Sequence, residues 1–131
     1  MVNLRKKEIK TFEAPSPVGP YSQAVSVGEL VFVSGQVPQC SDDNISADKG
    51  GIEEETTQVL DNVEKILEAA GLSLDNVVKV DVYLRDLDDF SKMNKIYSSR
   101  FSAGVKPARA VIGASGLPKG ANIEISCIAH R

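Results

Sequence analysis

The sequence predicts an α+β fold in which one β-sheet carries two helices on one of its faces. The chain has 131 residues, 42% of them hydrophobic and 25% charged, as is typical of one globular domain with a substantial core. Two stretches repeat apolar residues at helical spacing, whereas five others have the alternation or the apolar runs of strands. Their order is ββαβαββ, without a repeat or linker, and it favours one sheet covered by helices.

The N-terminal part is predicted to lead into a short hairpin. In a domain that spans the whole chain, residues 1–13 are expected to be a loosely ordered lead-in, and residues 14–21 hold three prolines that exclude a helix. Strands are predicted at residues 22–27 and 30–34, separated by a two-residue connection suited to a hairpin. The second strand is apolar on both faces, so it should be central in the sheet or covered on both sides. A polar loop is predicted over residues 36–51.

The first helix is indicated by a strong apolar stripe. Glu53, Glu54 and Glu55 in its first turn complement the helix dipole, and Gly71 ends it. The apolar positions predicted to face the core are Val59, Leu60, Val63, Ile66, Leu67 and Ala70.

A strand and a second helix follow. Alternation over residues 78–84 predicts a strand with Val78, Val80, Val82 and Leu84 on the core face. The second helix is predicted from a cap region at residues 86–89 to about Ser102, with Gly104 as its terminator. The residues it is expected to bury are Phe90, Met93, Tyr97 and Phe101.

The last two predicted strands place two opposite charges among apolar residues. Pro107 biases the chain toward an extended conformation, so Arg109 should enter a strand near its beginning. From Ala121 onward apolar and polar residues alternate, and Glu124 leaves the apolar face. If the two strands paired antiparallel, Arg109 could lie opposite Glu124. On these residues alone, a cross-strand ion pair is the simplest interpretation.

Charge and cysteine usage restrict the classes of function. The net charge is −3, and the one basic cluster is Arg5, Lys6 and Lys7, which argues against nucleic acid as the main partner. Two cysteines and a single histidine can form neither a Cys/His zinc site nor a disulfide scaffold. No apolar stretch follows the initial methionine, and no membrane class is indicated. The chain is predicted to be a cytoplasmic protein without metal or cofactor.

Separated blocks of sequence, in the right order, resemble one known family. Pro107-Ala108-Arg109, Leu117-Pro118-Lys119-Gly120 and Ile123-Glu124-Ile125 are similar to the C-terminal signature of the RidA (YjgF-type) reactive-intermediate deaminases. The resemblance covers about residues 14–129. Its other matching segments are residues 19–24 (Gly-Pro-Tyr-Ser-Gln-Ala), 33–38 (Val-Ser-Gly-Gln-Val-Pro), 57–62 (Thr-Gln-Val-Leu-Asp-Asn) and 89–90 (Asp-Phe) with Asn94.

The resemblance implies a fold, an assembly and a reaction. Members of this family resemble chorismate mutase in fold and assemble as homotrimers with sites between subunits. They hydrolyse reactive 2-imino and enamine acids, such as 2-aminoacrylate and 2-iminobutanoate, to 2-oxo acids and ammonia. Such a carbon is already electrophilic, so the reaction needs orientation, water and a proton relay, and no covalent nucleophile.

Three residues are the predicted catalytic group. Arg109 offers a rigid fork of donors that matches a substrate carboxylate. Glu124 is the candidate for positioning water and passing protons, because partial withdrawal from solvent can move a carboxyl pKa toward neutral. Tyr21 can donate a hydrogen bond from its hydroxyl, although a tyrosine beside a Gly-Pro turn is otherwise usually a packing residue.

Four further residues are predicted to bind substrate. Ser34 and Gly35 end a strand at a turn that lines the pocket in the family, with a plain strand end as the alternative. Asn94 matches a polar residue that faces the subunit cleft, although an asparagine within a helix is more often solvated. Some members carry a cysteine where this chain has Val111, so here only the backbone amide of Val111 is available for binding, and a thiol mechanism is ruled out.

Two other functions remain open from the sequence. Some relatives are described as ribonucleases or translation inhibitors, but the acidic balance and the lone His130 beside the C-terminus count against cleavage of phosphodiesters. A non-catalytic trimer that binds small carboxylates is the third interpretation.

Overall fold

The structure is a computed structural model that describes residues 5–40 and 51–131. In these ranges it contains one sheet and two α-helices, as the sequence predicts, but the sheet has six strands where five were predicted. The elements are β1 (Lys7–Ile9), β2 (Ala24–Val27), β3 (Leu30–Gln36), α1 (Ile52–Ala69), β4 (Val77–Leu84), α2 (Phe90–Arg100), β5 (Ala108–Gly113) and β6 (Ile123–His130). The strand order is β1-β2-β3-β6-β4-β5. All neighbouring strands are antiparallel except β4 and β5, which are parallel.

The core lies between the sheet and the helices. Every residue of the predicted apolar stripe of α1 is buried, and α1 packs on α2, β3 and β6. The alternation predicted for the last strand is confirmed, because Ile123, Ile125, Cys127 and Ala129 are buried on the helix side. Full burial of a Val, Leu or Ile side chain contributes about 1.5–3 kcal/mol, so the packing of the helices on the sheet dominates the stability of the fold.

The prediction of a loosely ordered N-terminal lead-in is wrong for part of its length. β1 pairs antiparallel with β2 and forms one edge of the sheet. The Gln23 side chain holds the segment that follows β1. Its Oε1 accepts the N–H of Thr11, and its Nε2 donates to the carbonyl of Thr11 and, at 2.8 Å, to the carbonyl of Pro15. A three-residue strand is too short to show a periodic pattern, which explains the missed element.

Several predicted boundaries and burials also change. β2 begins at Ala24, and β3 continues through Gln36; the predicted polar loop lies mostly outside the described residues. A register shift between β4 and β6 turns Val78 outward to 47% exposure, whereas Val77 is buried. α2 ends at Arg100, and Phe90 is 39% exposed, because it lies at the helix edge over Arg109.

The interpretation of Arg109 and Glu124 as a cross-strand pair is wrong. β5 and β6 do not pair, because β4 lies between them. Arg109 is level with Val80, which faces the helices, whereas Glu124 is level with Tyr83, which faces the other way. The two charged side chains therefore start from opposite faces of the sheet.

No other part of residues 5–40 and 51–131 covers the sheet face opposite the helices. β3 is central, as predicted, between β2 and β6, but its Leu30 and Phe32 are 37% and 42% exposed on this face. Ile112 of β5 is 49% exposed there as well. Lys79 and Asp81 of β4 form an ion pair at 2.9 Å among these apolar side chains.

Candidate active site

Arg109 is held firmly against α2. Its Nη1 donates to Asn94 Oδ1 at 2.7 Å. The guanidinium carbon lies 4.5 Å from the ring centroid of Tyr97 and 5.6 Å from that of Phe90, within the range of cation–π attraction. These three residues follow the i, i+4, i+7 spacing of one helix face, and one hydrogen bond plus two rings fix the orientation of the guanidinium.

The arginine pocket is a cavity of about 300 Å³ on this side of the molecule. Arg109 and Lys106 make it electropositive, and no Asp or Glu of the described ranges lies within ion-pair distance of Arg109. The lining residues are Asn94, Tyr97, Ser98, Phe101, Lys106, Pro107 and Arg109. This arrangement suits a small anion. Nη1 of Arg109 donates to the neutral Asn94 amide, and the other guanidinium donors have no acidic partner among the described residues.

Tyr97 also lines this pocket. The sequence did not predict this position, because helical spacing identified Tyr97 only as a core residue. Its ring is buried, and its hydroxyl has no hydrogen-bond partner among the described residues. Burial raises the pKa of Tyr97, the nearby charge of Arg109 lowers it in part, and Cys127 raises it. The spacing of Asn94 and Tyr97 on one helix face was the available signal.

The backbone of Val111 is exposed at the free edge of the sheet. β5 is the last strand in the order, so among the described strands only one of its sides is paired. The Ala114 N–H donates to the Leu84 carbonyl of β4 at 2.8 Å. Because N–H directions alternate along a strand, the Val111 N–H, three residues earlier, points away from β4. Its side chain packs against the core, so the amide is the group that Val111 can offer near Arg109.

The glutamate cleft is a second cavity, of about 400 Å³, and it brings together four of the predicted site residues: Tyr21, Ser34, Gly35 and Glu124. Loops from both ends of the chain complete it. The other lining residues are Val18, Val37, Gln39, Pro118 and Lys119.

Gly35 allows the Glu124 side chain to lie directly over β3. A Cβ atom at position 35 would lie 2.8 Å from Glu124 Cδ and closer still to Oε2. Real Cβ atoms do not make such contacts, so any other residue here would displace the carboxylate. The backbone of Gly35 has no positive φ, and the close approach alone requires glycine.

The Glu124 carboxylate is half-buried and has no ion-pair partner in the described part of the chain. Burial raises the pKa of Glu124 above its ordinary value of 4.5. A carboxyl group with a raised pKa can both accept and return a proton nearer to neutral pH.

Tyr21 and Ser34 present different hydrogen-bonding groups to the cleft. Ser34 Oγ donates to the Ser22 carbonyl at 2.6 Å, so its oxygen remains an acceptor. The Tyr21 hydroxyl accepts a long bond, 3.4 Å, from the Val18 N–H, so its own proton remains available for donation. Tyr21 is 49% exposed and is not a core packing residue.

Lys119 is a cleft residue that the sequence analysis did not select. It has φ 58°, the single positive φ of a non-glycine residue in the described part of the chain. Such a conformation costs roughly 1–3 kcal/mol and is found preferentially at functional sites. The signal was present in Pro118-Lys119-Gly120, a turn sequence inside the family signature.

One chain does not bring the arginine pocket and the glutamate cleft together. Arg109 and Glu124 are two strands and about three residues apart, which is about 10 Å across and about 10 Å along the sheet, on opposite faces. Tyr21, Ser34, Gly35 and Glu124 share one site, whereas Arg109, Asn94 and the Val111 amide share the other.

The described residues offer neither a metal site nor a membrane-spanning helix. In residues 5–40 and 51–131, no group of three or more His, Cys, Asp or Glu side chains is arranged to hold a metal ion. Neither helix of these ranges has both the length and the apolar character needed to cross a membrane.

The family of the chain follows from comparison with known proteins. The family model described as Endoribonuclease L-PSP matches residues 11–131. The chain belongs to this family, which is the RidA/YjgF family that its motifs resemble. The fold described above is therefore that of a RidA/YjgF protein.

Individual relatives agree with this assignment. A RutC family protein of Pyrococcus abyssi is 48% identical over 128 residues, which cover 98% of this chain and 99% of the relative. The 2-iminobutanoate/2-iminopropanoate deaminase of Mus musculus is 43% identical, covering 98% of this chain and 94% of that protein. The crystal structure of E. coli TdcF with bound serine has a TM-score of 0.89 and 38% identity, covering 95% and 98% of the two chains.

Proposed function

We propose that this protein hydrolyses reactive 2-imino and enamine acids, such as 2-iminobutanoate and 2-aminoacrylate, to 2-oxo acids and ammonia. The observation that carries the proposal is that Arg109 and Glu124 do not neutralise each other within the chain. Each charge faces a cavity, one as a fixed cation for a carboxylate and the other as a carboxyl group of raised pKa. A stabilising ion pair would have buried both charges together.

The relatives support this substrate class. Mammalian proteins at 43–44% identity carry the name 2-iminobutanoate/2-iminopropanoate deaminase, and TdcF binds serine, a small amino acid with a carboxylate. 2-Aminoacrylate is serine less one molecule of water, so a pocket for the carboxylate and nitrogen of serine also suits this enamine. We also predict that the protein acts in the cytoplasm.

A neighbouring copy would complete the site. The arginine pocket and the glutamate cleft are different surfaces, so joining them between copies gives a head-to-tail contact, and such contacts form a ring when the rotation between copies closes. The exposed Leu30, Phe32 and Ile112 favour burial of the open sheet face in such a ring. We propose a homotrimer, the assembly of this family, with each site between two subunits.

The proposed reaction begins with the carboxylate. Arg109 binds it through donors not used by Asn94, and the Val111 N–H adds another hydrogen bond. Holding the substrate by this end places its C=N carbon at a fixed distance from the cleft of the neighbouring subunit. Orientation of this kind contributes several kcal/mol of the barrier reduction.

Water then attacks the C=N carbon of the iminium substrate while Glu124 accepts one of its protons. The C–O bond forms, the C=N electron pair moves to nitrogen, and a carbinolamine results. Transfer of the proton from Glu124 to nitrogen makes ammonia a leaving group. The C–N bond breaks, the C=O bond forms, and the hydroxyl proton leaves with the departing nitrogen as ammonium.

The remaining cleft residues would assist at both ends of this sequence. An enamine substrate first takes a proton from hydronium in the surrounding water at its terminal carbon, which converts it to the iminium and leaves one water molecule. Ser34 accepts a hydrogen bond from the substrate nitrogen, and Tyr21 donates one to the attacking water or the developing alcohol.

The experiment couples the purified protein to threonine dehydratase, which releases 2-iminobutanoate, with semicarbazide as a competing trap. We expect 2-oxobutanoate to form faster than by uncatalysed hydrolysis, and this acceleration to disappear in Arg109→Ala. No acceleration by the wild type, or full acceleration by the variant, would overturn the proposal.

Ribonuclease activity is the competing function, favoured by the description of the family model. Phosphodiester hydrolysis with a histidine pair is unavailable, because the chain has one histidine, His130, which is exposed at the end of β6. RNA degradation that survives purification and is lost in Lys6→Glu would support this function. Carboxylate binding with no turnover of any imino acid would instead indicate a non-catalytic binding protein.

A further inference from the structure

A buried carboxylate outside the two cavities reaches the segment that carries Glu124. Glu55 on α1 is 0% exposed. Its Oε1 accepts the backbone N–H of Asn122 at 2.9 Å, and its Oε2 accepts from Asn122 Nδ2 at 2.5 Å. No Lys or Arg of the described residues forms an ion pair with it. Both of its oxygens are therefore committed to one residue, 67 positions away in the chain.

Helix-dipole compensation does not explain this residue. Glu55 shares the first turn of α1 with Glu53 and Glu54, and Glu54 is exposed to solvent, as expected of a residue that complements the helix dipole. Burying a carboxylate costs several kcal/mol unless hydrogen bonds replace its water. Asn122 supplies such bonds at both oxygens, so the Glu55 contact has a specific purpose in this fold.

Asn122 follows the strained turn that forms part of the wall of the glutamate cleft. It immediately precedes β6, two positions before Glu124, and its carbonyl accepts the N–H of Arg85 at 3.0 Å. The turn before it includes Pro118 and Lys119, which line the cleft, and the left-handed conformation of Lys119. Without the bonds from α1, a turn that contains a strained residue would relax.

We propose that Glu55 is a positioning residue, which clamps Asn122 and thereby sets both the cleft wall formed by Pro118 and Lys119 and the entry of Glu124 into the cleft. This inference rests on the proposed function only for its effect on turnover. The clamp itself concerns only how well the conformation of residues 117–122 is held. It concerns the glutamate cleft alone, since Arg109 is on the opposite face and is anchored by α2.

The chemistry of the pair predicts which replacements keep the clamp. Glu55→Ala leaves the N–H and the Nδ2 group of Asn122 without an acceptor. Glu55→Gln keeps an acceptor for the N–H, and its Nε2 can donate to a flipped Asn122 amide. The double variant Glu55→Gln/Asn122→Asp reverses the direction of the side-chain bond while it keeps both contacts. Glu54→Ala is the matched control, because it removes an exposed carboxylate one position away.

The test measures local hydrogen exchange of residues 117–122, kcat and KM in the coupled assay, and global stability in urea. In Glu55→Ala we expect exchange of this segment to rise about tenfold or more with α2 and β5 unchanged, because loss of the bonds opens the turn locally. We expect kcat to fall about tenfold with KM within about threefold of the wild type, because the carboxylate anchor is intact. Both Gln-containing variants and Glu54→Ala should stay close to the wild type.

The outcomes separate the two proposals. Wild-type exchange at residues 117–122 in Glu55→Ala would overturn the clamp even if the protein is a deaminase. Faster exchange in a protein with no turnover would support the clamp and contradict the proposed function. If Glu55→Ala does not fold, Asn122→Ala replaces it, since it removes one of the two bonds; unchanged exchange and kcat there would overturn the clamp.

Discussion

The arginine pocket and the glutamate cleft are built in different ways. Arg109 is fixed by three side chains from one face of α2, with a hydrogen bond of 2.7 Å and two aromatic rings. Glu124 is placed by the backbone, because Gly35 leaves room for its carboxylate over β3 and because Asn122, which precedes its strand, is bonded to α1. The arginine pocket therefore holds a cation of fixed orientation, whereas the glutamate cleft holds a carboxyl group without an ionic partner among the residues described. This difference suits one site for binding and the other for proton transfer.

The largest expected effect comes from removing the cation. Arg109→Ala should lower kcat/KM about a thousandfold, because two charge-assisted hydrogen bonds to the substrate carboxylate contribute about 1.5–3 kcal/mol each. Arg109→Lys keeps the charge without the fork and should recover only a small part of the activity. Steady-state kinetics check this prediction, and wild-type kcat/KM in Arg109→Ala would contradict the assignment of the pocket.

A single methyl group should disable the cleft while leaving the fold intact. Gly35→Ala places its Cβ against the end of the Glu124 side chain, which is flexible and swings away at little cost in stability. We expect kcat to fall about a hundredfold, since small displacements of a catalytic group have effects of this size. The midpoint of urea unfolding should barely change. Gly116→Ala is the control, because its Cβ would meet open space; equal kcat in the two variants would refute the role of the close approach.

Removing the hydrogen bond that orients Arg109 should have a smaller effect. Asn94→Ala loses one bond but keeps both aromatic contacts, so we expect KM to rise about fivefold to tenfold, corresponding to about 1–1.5 kcal/mol. Asn94→Asp should weaken binding further, because its carboxylate competes with that of the substrate for the guanidinium. If calorimetry showed that the Asn94→Asp variant binds 2-oxobutanoate as tightly as the wild type, this account of the pocket would be contradicted.

The smallest expected effect concerns stability and pH. The folded-state pKa of Glu124 is raised above the ordinary value of 4.5, so the folded protein binds more protons in the interval between the two values. The free energy of unfolding of the wild type should therefore decrease relative to Glu124→Gln as the pH rises from about 4.5 through the folded-state pKa. Urea unfolding at several pH values checks the sign, with the exposed Glu54→Gln as control. A wild type that gains stability over Glu124→Gln across this interval would exclude a raised pKa.

Local patterns predicted the helices and most strands, whereas contacts between distant segments escaped them. The apolar stripe of α1 was identified correctly because helical spacing is a property of neighbours in sequence. The pairing of β5 with β4 was not predicted, because the glycine-rich connection of residues 113–120 is equally typical of a hairpin loop. Parallel pairing leaves no local signal.

The same limit applies to the candidate site. Family motifs supplied Arg109, Glu124, Tyr21, Ser34 and Gly35 as candidates, but not their division between two faces of the sheet. The contact of Gly35 with Glu124 joins residues 89 positions apart, and the bond of Glu55 to Asn122 joins residues 67 apart. Such contacts depend on the register of the whole sheet, which no single stretch of sequence specifies.

Mixing two inactive variants tests the shared site most directly. Arg109→Ala and Glu124→Gln chains are unfolded together in equal amounts, refolded, and assayed for deaminase activity. In a ring, a site works only where an intact arginine pocket meets an intact glutamate cleft, which gives about one quarter of the wild-type activity. Activity no higher than the mean of the two variants alone would mean that both charges must come from one chain.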